Sequence, residues 1–385
     1  MQILFMPCGL YFIVTLRVVV AFVPHTTYSF LSVNSTERKC NNRGKPQGHG
    51  YGKDKCPCVG IDNLRGYFAS NLDFYHVQYP LEAGASCSAW DKGVHPECSG
   101  EPVPNWCRQK WCFVDPCECE LDEAPKRTNL GVTYQGGPAF YSYKTCDDFD
   151  FYTLDHNPNA CPIQKDAVSC TGKPDCTWDG STCKDKIVAE VCAKKKHADP
   201  HTYGKEGCRC VGFGGRKNGR AVLAINDHEE AVYDSNVGSV CQAWESTSHP
   251  ECLKTDGTRP KFCDQRWCYV DPCSCDTLTP PKTVMSGNMD QRFQGKTVYW
   301  SYETCGSVDE WTSTLKSEYC VTQTTEASCN TMEKCTWTGK NCVGRALKEI
   351  CTEQKSSGVL GIEVFSSGVR PILGFFTFLV SLFMA

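Results

Sequence analysis

The nine residues Trp267-Cys268-Tyr269-Val270-Asp271-Pro272-Cys273-Ser274-Cys275 have a near-twin 156 positions earlier, Trp111-Cys112-Phe113-Val114-Asp115-Pro116-Cys117-Glu118-Cys119. Agreement at seven of nine places marks a tandem repeat, and a repeat constrains the fold before any local propensity is weighed. The other cysteines keep the register. Cys40, Cys56 and Cys58 answer to Cys192, Cys208 and Cys210 at an offset of 152, and Cys87 and Cys98 answer to Cys241 and Cys252 at 154. Cys107, Cys112, Cys117 and Cys119 answer to Cys263, Cys268, Cys273 and Cys275 at 156. Cys146, Cys161, Cys170, Cys176, Cys183 and Cys192 answer to Cys305, Cys320, Cys329, Cys335, Cys342 and Cys351 at 159. Small loop insertions between fixed staples produce offsets that grow in such steps.

Thirty cysteines in 385 residues point to an oxidising compartment and a disulfide-stapled fold. A zinc protein would want Cys-x-x-Cys pairs, and none occurs, so no metal or other cofactor is expected. A formal net charge of −4 argues against a nucleic-acid partner. The expected fold is small and disulfide-rich, mostly β and loop with short helices, in two tandem homologous units.

The ends agree with secretion. Residues 1–21 read as a signal peptide, with Val19 and Ala21 as the small-residue cleavage site before Phe22. An exposed leader follows over 22–39 and carries the one glycosylation sequon, at Asn34. Unit 1 spans 40–191 and unit 2 spans 192–351. A stalk over 352–358, with Ser356 as the attachment residue, precedes an apolar 359–385 segment that reads as a removable GPI-attachment signal.

Cys8 leaves with the signal peptide, so 29 cysteines remain and one has no internal partner. If first and last cysteines of a unit pair, Cys40 takes Cys192 and Cys351 is left over. If Cys192 pairs forward with Cys351, Cys40 is left over. The leftover thiol at Cys40 or Cys351 would allow a disulfide-linked dimer.

Within each unit the first part, rich in Gly, Pro and aromatic residues, reads as short strands and long loops; Val298 to Tyr302 is one such run. Ser307 to Glu310 forms a capping-box pattern, and Ile187 to Lys196 and Ala346 to Lys355 read as helical. The Cys-Thr-Trp segments at Cys176 and Cys335 read as knots in which one Trp supplies most of a small core.

Candidate binding residues are Trp90, His95, Trp111, Phe113 and Asp115, with Trp244, His249, Trp267, Tyr269 and Asp271 in the second unit. Asp115 and Asp271 precede proline and are expected to cap a turn, although a carboxylate beside aromatic rings also suits a cation. His95-Pro96-Glu97 and His249-Pro250-Glu251 invite a hydrolase reading. No nucleophile elbow or HExxH accompanies them, so no catalytic residue is expected. Lys194 to Lys196 form the one basic cluster, suited to a solvated helix end or to an anionic glycan.

The order Cys87, Trp90, His95, Cys107, Trp111, Cys112, Phe113, Asp115, Pro116, repeated from Cys241 to Pro272, resembles the kringle domain and more distantly fibronectin type II modules. The resemblance covers about 60 residues per unit and implies a small β-and-loop module that binds partners without catalysis. Cys98, Cys117 and Cys119 are additional to that pattern and its Asn-Pro-Asp-Gly turn is missing, so no ligand-pocket residue is carried over. The Cys-Thr-Trp knots resemble PSI-type modules. Together these features lead to the expectation of a GPI-anchored surface protein that binds an extracellular protein or glycan. The alternatives are a disulfide-cross-linked coat component and, less favoured, a surface hydrolase.

Overall fold

The computed structural model describes residues 17–20, 29–32, 50–72, 75–226, 228–284, 286–310 and 320–357. Arg17–Val20 pairs antiparallel with Ser29–Ser32 in a small unit of its own, and everything from residue 50 onward belongs to a second unit. Asn34, Cys40 and the 359–385 segment lie outside the described residues.

The second unit is disulfide-rich, with small sheets and short helices. Gly66–Leu72 (β1) and Tyr75–Pro80 (β2) form a hairpin. Strand formation follows from two-residue alternation: Phe68, Ser70 and Leu72 on β1 and Val77 and Tyr79 on β2 turn inward. Cys112–Val114 (β3), Lys126–Arg127 (β4) and Phe140–Ser142 (β5) make a second sheet with β5 in the middle. All three residues of β3 are buried.

The chain from residue 208 onward builds counterparts of these elements. Lys217–Ala224 (β6) and Glu230–Asp234 (β7) form a hairpin, and Cys268–Val270 (β8), Lys282–Thr283 (β9) and Tyr299–Ser301 (β10) form a three-stranded sheet centred on β10. The two hairpins join through β1 and β6 into one antiparallel sheet of order β7-β6-β1-β2. Further contacts between the halves are reciprocal. Thr133–Tyr134 pairs with Phe213–Gly214, and Asp62 exchanges backbone bonds of 2.8 and 3.0 Å with Arg292. Gln135 Nε2 donates to the Cys210 carbonyl at 2.9 Å, and Gln294 Nε2 donates to the Cys58 carbonyl at 3.1 Å. One apolar core, containing Phe68, Tyr79, Phe113, Phe213, Tyr233 and Tyr269, runs through both halves.

Fourteen disulfides hold this arrangement. Cys56–Cys119, Cys58–Cys112, Cys87–Cys146, Cys98–Cys107, Cys117–Cys192, Cys161–Cys176 and Cys170–Cys183 lie in the first half. The second half has Cys208–Cys275, Cys210–Cys268, Cys241–Cys305, Cys252–Cys263, Cys273–Cys351, Cys320–Cys335 and Cys329–Cys342. Every bridge of one half joins the register counterparts of a bridge in the other. This corrects both pairing schemes drawn from parity. Cys192 bonds to Cys117, not to Cys40 or Cys351, and Cys351 bonds to Cys273, so Cys351 is not the leftover thiol.

Cys192 lies on the helix Ile187–Lys196 (α1) and Cys351 on Arg345–Ser357 (α2), both where helical periodicity placed them. The backbone of α2 runs through the expected stalk to Ser357 and includes Ser356. Among the described residues no helix is long and apolar enough to cross a membrane.

Ser307 Oγ accepts the Arg266 N–H at 2.9 Å, and the stretch its capping box is expected to open, over 311–319, lies outside the described residues. One local expectation changes. In the knot around Cys176–Trp178 and Cys183–Asp185, the four cysteines are buried and Trp178 is only half-buried against them. Sulfur, not the indole, supplies that core.

Gly84 and Gly238, at positive φ, sit flat against the Phe113 and Tyr269 rings; a Cβ at either would lie 2.2 Å from a ring carbon. Gly84→Ala and Gly238→Ala are each expected to cost about 2–4 kcal/mol through overpacking and backbone strain. Thermal melting checks this, and wild-type melting in either variant would contradict the packing described.

Candidate functional site

The ten candidate residues are mostly interior. Phe113, Trp111, Trp267 and Tyr269 belong to the shared core, Trp244 is buried, and Trp90 is half-buried with its Nε1 donating to the Ser86 carbonyl at 2.9 Å. None of the ten is an exposed aromatic surface. Asp115 and Asp271 cap turns as expected, each accepting the N–H two residues on (Cys117 and Cys273) at 3.0 Å. Asp115 also pairs with Lys195, which reaches Glu118 at 3.3 Å, while Lys194 pairs with Glu190 at 2.6 Å. Two of the three clustered lysines are therefore engaged within the chain.

The two histidines play one role twice. His95 Nδ1 accepts the Glu97 N–H at 3.3 Å and His249 Nδ1 accepts the Glu251 N–H at 3.2 Å, each opening a 3₁₀ turn that starts at the following proline. Each ring stands edge-on to an aromatic neighbour: His95 to Trp106 at 4.9 Å, His249 to Phe262 at 5.3 Å.

Trp111, Trp267 and the histidines also meet at a cavity, once in each half. The first-half cavity, about 40 Å³, is lined by Tyr79, Asp91, His95, Trp111, Tyr141 and Tyr143 among others. The second-half cavity, about 100 Å³, is lined at the corresponding positions by Tyr233, Glu245, His249, Trp267, Trp300 and Tyr302. Lining residues Leu223, Ile225 and Val284 make the rest mainly apolar.

Each cavity holds a carboxylate directly after a conserved-in-position tryptophan, Asp91 after Trp90 and Glu245 after Trp244. Asp91 accepts a bond on each oxygen from within: Tyr79 Oη donates to one at 2.7 Å and Trp111 Nε1 to the other at 2.7 Å. Burial still raises the Asp91 carboxyl above its ordinary value. Glu245 accepts one such bond, from Trp267 Nε1 at 2.6 Å. Among the described residues no hydrogen bond joins it to Tyr233, the residue in Tyr79's place, and no Lys or Arg pairs with it. Burial pushes Glu245 up to about 7, with the Trp267 bond and the residue's own backbone N–H opposing. Its charge in turn raises the Tyr233, Tyr269 and Tyr302 hydroxyls, already raised by burial. Neither acid belonged to the sequence-based candidates, although an acidic residue after the tryptophan in both units was a visible signal.

Behind the second cavity Lys282 Nζ lies 5.1 Å from the Trp300 ring centre and 5.4 Å from that of Tyr302, paired with Asp309. Burial pulls Lys282 down to about 7, with the Glu303 carboxylate opposing.

Four sulfurs also gather within 4.8 Å in each half: Cys58, Cys87, Cys112 and Cys146, and Cys210, Cys241, Cys268 and Cys305. They form two neighbouring disulfides in each case, and a disulfide sulfur is not the thiolate a zinc site requires.

No family model matches this chain, and no curated protein or solved structure matches it.

The raised Glu245 carboxyl has a consequence for stability. The folded protein holds this proton up to about pH 7, whereas an unfolded chain loses it near 4.5. Between those values the folded state binds more protons, so Glu245 removes stability as pH rises through that window. Glu245→Gln, which keeps an acceptor for Trp267, is expected to raise the melting temperature at about pH 8 and to leave it unchanged below about pH 4.5. A lower melting temperature at about pH 8 would contradict this reading of the site.

Proposed function

We propose that the chain is a secreted, GPI-anchored surface protein of two homologous cysteine-rich units that acts by binding an extracellular ligand without covalent chemistry. The observation that carries the reading is the matched set of seven bridges in each half, a framework that fits an oxidising compartment. The apolar residues at the amino end and the small-residue, spacer and apolar-tail order at the carboxyl end fit entry to the secretory pathway and lipid attachment. Binding fits the cavities: each half presents aromatic walls around one carboxylate, while each histidine is spent on capping a turn. A kringle-like module would act in the same way.

A second reading, a cross-linked coat, draws support from sulfur bookkeeping. Twenty-eight of the 30 cysteines are in internal bridges, which leaves Cys8, in the signal peptide, and Cys40. Cys40 would then be the one thiol of the processed chain open to an intermolecular bond.

Treatment of intact cells with a phosphatidylinositol-specific phospholipase C is expected to release the protein, and the released chain to run as a monomer on a non-reducing gel. Retention on the membrane would count against the anchor. A dimer abolished by Cys40→Ser would favour the coat.

A further inference from the structure

The two cavities occupy corresponding places, yet their carboxylates are held differently. In the first half Asp91 spends both oxygens on Tyr79 and Trp111. In the second, the carboxylate is one methylene longer, Tyr233 does not bond to it, and the cavity enlarges from about 40 to about 100 Å³. We propose that the second-half cavity is a binding site for a small quaternary ammonium group, with Glu245 as its counter-charge and Tyr233, Trp300 and Tyr302 as its aromatic walls. The proposal rests on reading the chain as a binding protein and supplies the ligand class for that reading.

Three observations converge on this chemistry. A carboxylate drawn out of water with no cationic partner is costly, and a bound cation repays that cost. The negative faces of Trp and Tyr rings attract a cation, and desolvated cases are worth about 2 kcal/mol or more. The rings here lie within that range of a charge, since Lys282 stands against Trp300 and Tyr302 without being among the residues lining the cavity.

The acceptor count selects among cations. A primary ammonium carries three N–H donors and wants three acceptors. Glu245 is the one charged acceptor among the lining residues, beside the neutral Tyr233 and Tyr302 hydroxyls, because Asn288 is committed to the Ala224 backbone, accepting its N–H and donating to its carbonyl, both at 2.9 Å. A quaternary ammonium has no donors to satisfy. Size sets the scale: at roughly 30 Å³ of liquid volume per water, about 100 Å³ holds roughly three waters, which suits the methylated head of a small organic cation with its remainder outside.

The titratable groups facing Glu245 are Tyr233, Tyr269, Tyr302 and His249. Burial raises the three hydroxyls, so they stay neutral, and burial pulls His249 below its ordinary value, so no competing cation forms there near neutral pH. Affinity therefore rises as Glu245 loses its proton, through about pH 7.

The test is calorimetric titration of the full, disulfide-intact chain with choline chloride at about pH 8. The comparison compounds are propylamine and the neutral carbon isostere of choline, in which a tert-butyl group replaces the trimethylammonium. Choline is expected to bind at least about ten-fold more tightly than either, a difference of about 1.4 kcal/mol. Glu245→Gln is expected to lose at least about ten-fold in choline affinity, and Glu251→Gln, on the exposed turn nearby, to keep it. Trp300→Leu, at a half-exposed position, supplies the same loss as a second readout should Glu245→Gln fail to fold. Sedimentation with phosphatidylcholine vesicles, competed by choline, would assign the cation to a lipid headgroup; choline binding without vesicle retention would assign it to a soluble amine. Equal affinity for choline and its isostere, tighter binding of propylamine, or unchanged binding in Glu245→Gln overturns the proposal. Any of these leaves phospholipase release untouched, so failure here is distinct from failure of the anchored-surface reading.

Discussion

Two adjacent disulfides form the fixed point of each half. Cys58–Cys112 lies beside Cys87–Cys146, with Cys58 and Cys87 sulfurs 3.8 Å apart; Cys210–Cys268 and Cys241–Cys305 repeat the arrangement, with 3.9 Å between Cys210 and Cys241. These bridges bring together an incoming loop, the buried strand β3 or β8, and the 3₁₀ turn after β5 or β10. A threonine beside the stack completes it: Thr145 Oγ1 donates to the Cys56 carbonyl at 2.5 Å, and Thr304 Oγ1 to the Cys208 carbonyl at 2.5 Å. Loops of 54 to 64 residues closed in this way each remove about 4 kcal/mol of unfolded-chain entropy in the loop-closure model. Strands of two or three residues persist because their ends are welded, not because their ladders are strong.

On that frame the halves complete one another. Each lends a hairpin to the four-stranded sheet, each donates a glutamine to a carbonyl at the other's cysteine pair, and each places aromatic rings in a single core. The contacts run in both directions between corresponding residues, the pattern of an isologous interface enclosed in one chain. A half alone would expose the β1 or β6 edge and the rings around Phe213 or Phe113, which argues that the pair, not the single unit, is the stable body. Divergence within this frame falls on the cavities, where Asp91 lines about 40 Å³ and Glu245 about 100 Å³.

The register of the cysteines, the α1 and α2 helices and the strand at Tyr299–Ser301 were all legible from residue spacing, because periodicity and repetition are properties of sequence. The pairing was not. Spacing says which sulfurs are equivalent but not which meet, and the decisive partner of Cys192 was Cys117, brought close by the turn that Asp115 caps. The site was half legible. Trp267, Tyr269 and His249 were singled out and do line the cavity, but as walls and a turn cap instead of an exposed patch. Glu245 escaped notice because its meaning depends on burial and on the missing bond from Tyr233, neither of which a sequence displays.

The central claim is that one disulfide framework, built twice, sets this fold. Peptide mapping of the non-reduced chain by mass spectrometry tests it most directly. The account predicts the linked peptides Cys117–Cys192 and Cys273–Cys351 together with the other twelve pairs in matching register. A peptide linking Cys192 to Cys351 or to Cys40, or different connectivities in the two halves, would contradict it.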